Sequence, residues 1–214
     1  MRLLRRLPAA LILIRLPTAD LATAETNIMS ITIVTPPASE PISLAEAKLF
    51  LRVDHNAEDS LIATLIGAAR EAVEAGCGRA LITRRVRESL DIWRRDAVGG
   101  AVLGTGPVGD VIAVRLLADN GSQSVIDPER YRLEGHRDRP RLVFPPGMPA
   151  TLRSAGGIEI EYDAGYADDA ADLPVALRVA TMQIVTALYE ARQGDKGVPD
   201  SARALVRPFA PARL

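Results

Sequence analysis

The chain has 214 residues, with 26 Lys and Arg against 27 Asp and Glu, two His and one Cys, for a formal net charge of −1. That length suits one domain, or one domain with a sizeable insertion, and can bury about 70% of its unfolded surface without a disulfide or metal staple. A lone Cys excludes an internal disulfide scaffold, the missing surplus of Lys and Arg argues against non-specific wrapping of nucleic acid, and 4% aromatic residues are too few for base-stacking platforms.

Residues 1–28 carry Arg2, Arg5, Arg6 and Arg15 against Asp20 and Glu25, a net +2, which leaves residues 29–214 at −3. A basic start, the apolar run Leu7–Ile14 and small residues at Ala22–Ala24 read as a signal-like leader. The run has Pro8 at its start and Arg15 directly after it, far short of the ~20 apolar residues that cross a bilayer. The competing and preferred reading is a miscalled start, with Met29 opening the chain that folds.

After Met29 an extended stretch reaches Pro41, its Pro36, Pro37 and Pro41 forbidding a helix. Ser43-Leu44-Ala45-Glu46 is a capping box, hydroxyl and carboxylate each satisfying a free backbone N–H. It predicts a helix to about Val53, with Leu44, Ala47 and Leu51 on one face. Asp54–Ala57 breaks it. A second helix is predicted from about Glu58, acidic in its first turn. Its apolar stripe holds Leu61, Ile62, Leu65, Ile66, Ala69, Ala72 and Val73, and Gly76 and Gly78 stop it. The short connection makes the two helices an antiparallel pair.

From Arg84 the pattern turns to strands. Val86, Leu90 and Ile92 fall on one side of Arg84–Trp93, and Asp110–Ala118 is rich in β-branched residues. Asp119-Asn120-Gly121 predicts a hairpin with a type I′ turn. Further short strands are predicted around Ser124–Ile126, Tyr131–Leu133, Leu142–Phe144 and Gly157–Tyr162. The last of these puts Ile158, Ile160 and Tyr162 inward and Glu159 and Glu161 outward. Helical pattern returns at Asp172-Leu173-Pro174, read as a cap with Pro in the first turn. Val175, Val179, Met182, Val185 and Tyr189 share a face of a long helix ending at Gly194. A short helix near Asp200–Val206 and a tail follow. The fold class is α+β: a helical core, made of the antiparallel pair and the long C-terminal helix, with an inserted small antiparallel β-sheet. The divisions are 1–28 leader, 29–83 helical, 84–166 β insertion, 167–207 helical and 208–214 tail.

Chemistry is sparse. Gly104-Thr105-Gly106-Pro107-Val108-Gly109 matches G-x-G-x-x-G, but a strand follows it where a dinucleotide site needs a helix N-terminus, so it reads as a turn. His55 and His136 have no metal-ligand spacing, and Cys77 has no His nearby in sequence to activate it. Asp163, Asp168, Asp169 and Asp172 form an acidic loop without calcium-loop grammar. Arg84, Arg85, Arg87, Arg94 and Arg95 read as a charged strand face, with a phosphate or acidic partner as the alternative. No catalytic, cofactor or metal site is expected.

As an ordered set, several motifs carry a resemblance. They are Pro41–Lys48, Leu51-Arg52-Val53, Glu58-Asp59, Ala68-Ala69-Arg70-Glu71 with Glu74, and Gly78–Thr83. Pro107-Val108, Asp119–Gly121, Tyr162–Tyr166, Pro174, Tyr189–Arg192 and Leu205–Phe209 complete it. Over about residues 30–210 the chain resembles the head–tail connector (adaptor) proteins of tailed phages, prophages and gene transfer agents. The resemblance implies a non-enzymatic subunit of a homo-oligomeric ring, expected to be dodecameric, in a virion or phage-like particle assembled in the bacterial cytoplasm. The ring would sit beneath the portal protein, join it to the stopper or tail-completion protein, and continue a channel through which DNA passes without specific binding; no membrane is involved. It further implies that the C-terminal segment docks on the portal, with Leu205, Val206 and Phe209 as apolar anchors and Arg203, Arg207 and Arg213 supplying charge. The leader has no counterpart in that family. The alternatives are a small ligand- or metal-binding enzyme using the Gly104–Gly109 or acidic loop, and a nucleic-acid-binding module.

Overall fold

A computed structural model describes residues 30–91, 101–135, 140–144, 153, 155–191 and 197–210. The leader, Arg94, Arg95, His136, Gly194 and Arg213 lie outside the described residues.

The helical part begins with α1 (Leu44–Leu51), whose capping box forms: the Glu46 amide donates to Ser43 Oγ at 3.2 Å, and the Ser43 amide donates to Glu46 Oε2 at 2.8 Å. α1 ends two residues earlier than the sequence pattern suggests, at a left-handed Arg52. α2 (Asp59–Cys77) buries Ile62, Ile66, Ala69, Val73 and Cys77 along one face and stops at Gly78. α3 (Val175–Glu190) and α4 (Asp200–Val206) complete the bundle. Pro174 is the N-cap of α3 rather than a residue of its first turn, and Asp172 makes no cap for it because it closes a separate 3-10 turn, Ala170–Asp172. Leu81, Ile82, Leu173, Leu177, Ile184 and Val206 join the buried faces of α1 and α2 in one apolar core.

The strands are β1 (Ser30–Thr35), β2 (Arg84–Leu90), β3 (Ala101–Val102), β4 (Val108–Leu117), β5 (Gln123–Val125), β6 (Arg132–Glu134), β7 (Arg141–Val143) and β8 (Ile158–Ala164). They form a five-stranded sheet, β1-β2-β8-β4-β5, and a three-stranded one, β3-β7-β6, with every pairing antiparallel. Val86, Leu90, Val114, Leu116, Ile158, Ile160 and Tyr162 face a second core, to which the small sheet adds Ala101 and Leu142.

Two expectations change. Ser30–Thr35, grouped by sequence with the helical segment 29–83, is an edge strand of the large sheet. The Asp119–Gly121 hairpin is not a type I′ turn, since Gly121 (φ 81°) has a positive φ and Asn120 does not. Ala118 instead accepts from the Gly121 amide and donates to the Ser122 carbonyl, which makes a three-residue loop closed by a left-handed Gly. Glu161 faces away from the second core as expected, but it is covered there.

The two cores meet at Ala80–Thr83 and Ala164–Ala167, where the Thr83 amide donates to the Ala167 carbonyl and the Tyr166 amide to the Leu81 carbonyl. The chains approach so closely that a Cβ on Gly165 would lie 2.4 Å from the Thr83 backbone. Glu74, on α2, clamps the same junction: it accepts from the Leu81 amide at 2.9 Å, and pairs with Arg84 at 2.5 Å and Arg70 at 3.2 Å.

Candidate assembly surfaces

α4 is short, so its position depends on packing rather than on propensity. Ala202 and Val206, one turn apart, are buried against the helical core, and Leu205 packs at its margin. The chain then tightens into a 3-10 turn, Arg207–Phe209. Here Arg79 Nε donates to the Phe209 carbonyl at 3.0 Å, and the Phe209 ring meets Tyr166 edge-on at 5.8 Å. Of the tail candidates, then, Val206 is buried, Leu205 and Phe209 are half-buried against their own core, and Arg203 and Arg207 are exposed. Arg203 pairs with Asp200 at 2.8 Å, an exposed contact of little weight. The root of the tail is fixed by Arg79, which the sequence reading passed over. Its signal was an arginine inside the otherwise small and apolar run Gly78–Ile82.

Two open grooves flank the helices. One, about 380 Å³, lies between the C-terminal half of α2 and α4, over an apolar floor that includes Val73, Ile184 and Val206, with Arg203 and Arg207 its charged lining among the described residues. The other, about 360 Å³, is bounded by Ser39–Glu46, by Ala63 and Ile66 of α2, and by Ala170. Leu49 and Phe50 on α1 stand 81% and 49% exposed.

The outer face of the large sheet is charged yet internally matched. Arg85 makes a two-pronged contact with Asp163 at 3.0 and 3.2 Å, and Glu161 accepts from Arg87 at 3.0 Å and Arg115 at 2.8 Å. Burial opposes ionisation of Glu161, but the hydrogen bonds from these two guanidinia outweigh it and hold the carboxyl below its usual range. Arg84 is buried against Glu74. The basic stretch Arg84, Arg85 and Arg87 therefore answers to acids of this chain.

Inside the sheet, fully buried Glu88 accepts from the Tyr162 hydroxyl at 2.9 Å and the Gly104 amide at 2.9 Å, while Tyr162 accepts from the Thr105 amide at 3.2 Å. Burial, and then the Glu88 carboxylate, push the Tyr162 phenol pKa well up. The Gly104–Gly109 segment is a loop pinned to the sheet that leads into β4. Sequence reasoning missed Glu88, although its place between Val86 and Leu90 on the inward side of the strand was the signal.

The remaining candidates stay dispersed. Asp163 is engaged with Arg85, whereas Asp168, Asp169 and Asp172 are exposed. Among the described residues no three His, Cys, Asp or Glu side chains are placed to hold a metal, and no helix is long and apolar enough to cross a membrane. His55 is exposed in its loop. Cys77 is buried, and burial raises its thiol pKa, the opposite of what a nucleophile needs.

Residues 41–99, which hold α1, α2 and β2, match the family model described as phage gp6-like head–tail connector protein. Over that segment the chain is similar to phage head–tail connector proteins. Its fold is similar to a chain in the virion of a native gene transfer agent particle, at 29% identity and a TM-score of 0.74, covering 86% of this chain and 96% of that one. It is also similar to a chain in the neck of a native particle computed with C12 symmetry (27% identity, TM-score 0.71) and to one in the neck of an empty particle computed with C6 symmetry (27%, 0.70). Each of the two covers 86% of this chain and 97% of its own. No curated protein matches the sequence.

Proposed function

We propose that the protein is a structural connector subunit of a phage-like particle, working through assembly rather than catalysis. The observation that carries this reading is the likeness of fold to a gene transfer agent virion chain over 86% of its length. Copies form a ring, expected to hold twelve, beneath the portal protein. The ring joins the portal to the stopper or tail-completion protein and continues the DNA channel without gripping DNA. Assembly takes place in the bacterial cytoplasm. The matched charges on the sheet support a non-gripping surface, since unpaired basic stripes bind phosphates and slow passage.

In this reading the tail contacts the portal through Pro208 and the residues after Phe209. Leu205, Val206 and Phe209 serve by fixing its root. The test is to mix the full chain with the portal protein of the same particle and image the product by electron microscopy. A ring seated on the portal is expected, and its absence overturns the connector role. Unchanged docking after deletion of residues 208–214 overturns the tail assignment alone.

A further inference from the structure

Two exposed, oppositely charged features on the helical core have no ion-pairing partner among the described residues that would account for both. One is the apolar groove beside α4, whose charged lining among the described residues is Arg203 and Arg207. Arg207 makes no ion pair among the described residues, and Arg203 has only the exposed contact with Asp200. The other is the loop Asp168-Asp169-Ala170-Ala171-Asp172. Its three carboxylates and Ala171 are exposed, and Asp169 leads into the 3-10 turn without capping it through its side chain.

From this complementarity we infer that the acidic loop of one copy docks in the arginine-rimmed groove of the next. The Ala171 methyl meets the apolar floor and the flanking carboxylates reach Arg203 and Arg207. The inference rests on the connector reading, and it names the contact that builds the ring.

Three observations carry it. The charges match: three acids with small residues between them face two guanidinia over an apolar floor, where an acidic partner is favoured and a basic one is repelled. The two features are not paired with each other among the described residues. Ala170 lies against Ala63 and Ile66, while the groove sits at Val73 and Gly76, about ten residues and so roughly 15 Å further along α2. They are also different surfaces, so the contact is head-to-tail, which closes into a ring when the rotation permits. A neck chain of similar fold is arranged with C12 symmetry, in which neighbours share no two-fold axis and cannot meet through one identical patch.

The test is a charge swap in the full chain, scored by rings seated on the portal protein in electron micrographs. Arg203→Glu with Arg207→Glu should lower ring counts by roughly tenfold, as should Asp169→Lys with Asp172→Lys. All four changes in one chain should restore rings. These positions are exposed, and an unchanged thermal midpoint confirms that the variants fold. Rescue by the combined variant is a result that a merely structural role would not give. If the unaltered chain forms rings and both charge-reversed variants do so equally, or if the combined variant fails to recover them, the docking contact is wrong while the connector reading stands. If the unaltered chain forms none, both fall together.

Discussion

Gly165→Ala tests whether the junction between the two cores is as tight as the backbone indicates. A methyl group there would sit 2.4 Å from Thr83 Cα and N and 2.8 Å from the Ile82 carbonyl carbon. Ordinary carbon contacts lie near 3.5–4.0 Å, so one segment must retreat by about 1 Å. The neighbours are backbone atoms, and no side chain can rotate away. The segments that would move are tied by the Thr83–Ala167, Tyr166–Leu81 and Gly165–Pro107 hydrogen bonds. Losing one buried bond costs ~1–3 kcal/mol, and overpacking adds ~1–3 kcal/mol, so about 3 kcal/mol of destabilisation is expected. For a chain of this size that is a fall of roughly 6–12 °C in the thermal midpoint. The assay is thermal and urea unfolding followed by circular dichroism. A midpoint within 2 °C of the unaltered chain, a shift worth under about 1 kcal/mol, would refute the argument that Gly165 is fixed by close approach.

Glu74→Ala strands buried Arg84 beside an unanswered Leu81 amide, while Arg70 keeps Glu40, and should cost about 3 kcal/mol or more. Glu74→Gln keeps an acceptor for that amide and should cost less; urea unfolding that ranks the two equally would count against the clamp. Glu46 is held below its usual carboxyl value of 4.5 first by the Ser43 backbone N–H, and Glu161 is held low by Arg87 and Arg115 against the opposing effect of burial. Because both native values are depressed, their contribution is present above the unfolded value and is lost as pH falls through the native ones. Urea midpoints should therefore drop below about pH 4.5, and Glu161→Gln should flatten part of that drop. Phe209→Ala removes the ring from Tyr166 and should cost about 1–2 kcal/mol while loosening the tail root, read as faster tryptic cleavage after Arg203.

What was legible in the sequence was local. The partners within the Ser43–Glu46 box, and the successive members of the α2 stripe, are only three or four residues apart, and α4 appears at its expected span of Asp200–Val206. What was not legible depends on partners far along the chain. Glu161 reads as a solvated residue until Arg87 and Arg115, 74 and 46 positions away, arrive on the flanking strands and cover it. Val206 and Phe209 read as loose anchors until α2, α3 and Arg79 supply the surface they pack on. Ser30–Thr35 looked like a mere lead-in because the prolines after it mask its pairing with β2. The hairpin at Asn120-Gly121 was placed correctly but typed wrongly, since loop length is set by the register of β4 on β5 and not by the dipeptide.

The disposition of charge separates the parts of the molecule by role. On the sheet, Arg85, Arg87 and Arg115 are matched by Asp163 and Glu161, and at the junction Arg70 and Arg84 are matched by Glu40 and Glu74. Those pairs order the fold, and removing one member of a buried pair strands the other. On the helical core Asp168, Asp169, Asp172 and Arg207 remain solvated and without an ion pair among the described residues. Solvated charges contribute little to folding but steer encounter and set register when two surfaces meet. A chain selected only to fold gains nothing by keeping an acidic loop and an arginine-rimmed apolar groove on different surfaces of its helical core. A subunit that must recognise its own copy head-to-tail needs that arrangement.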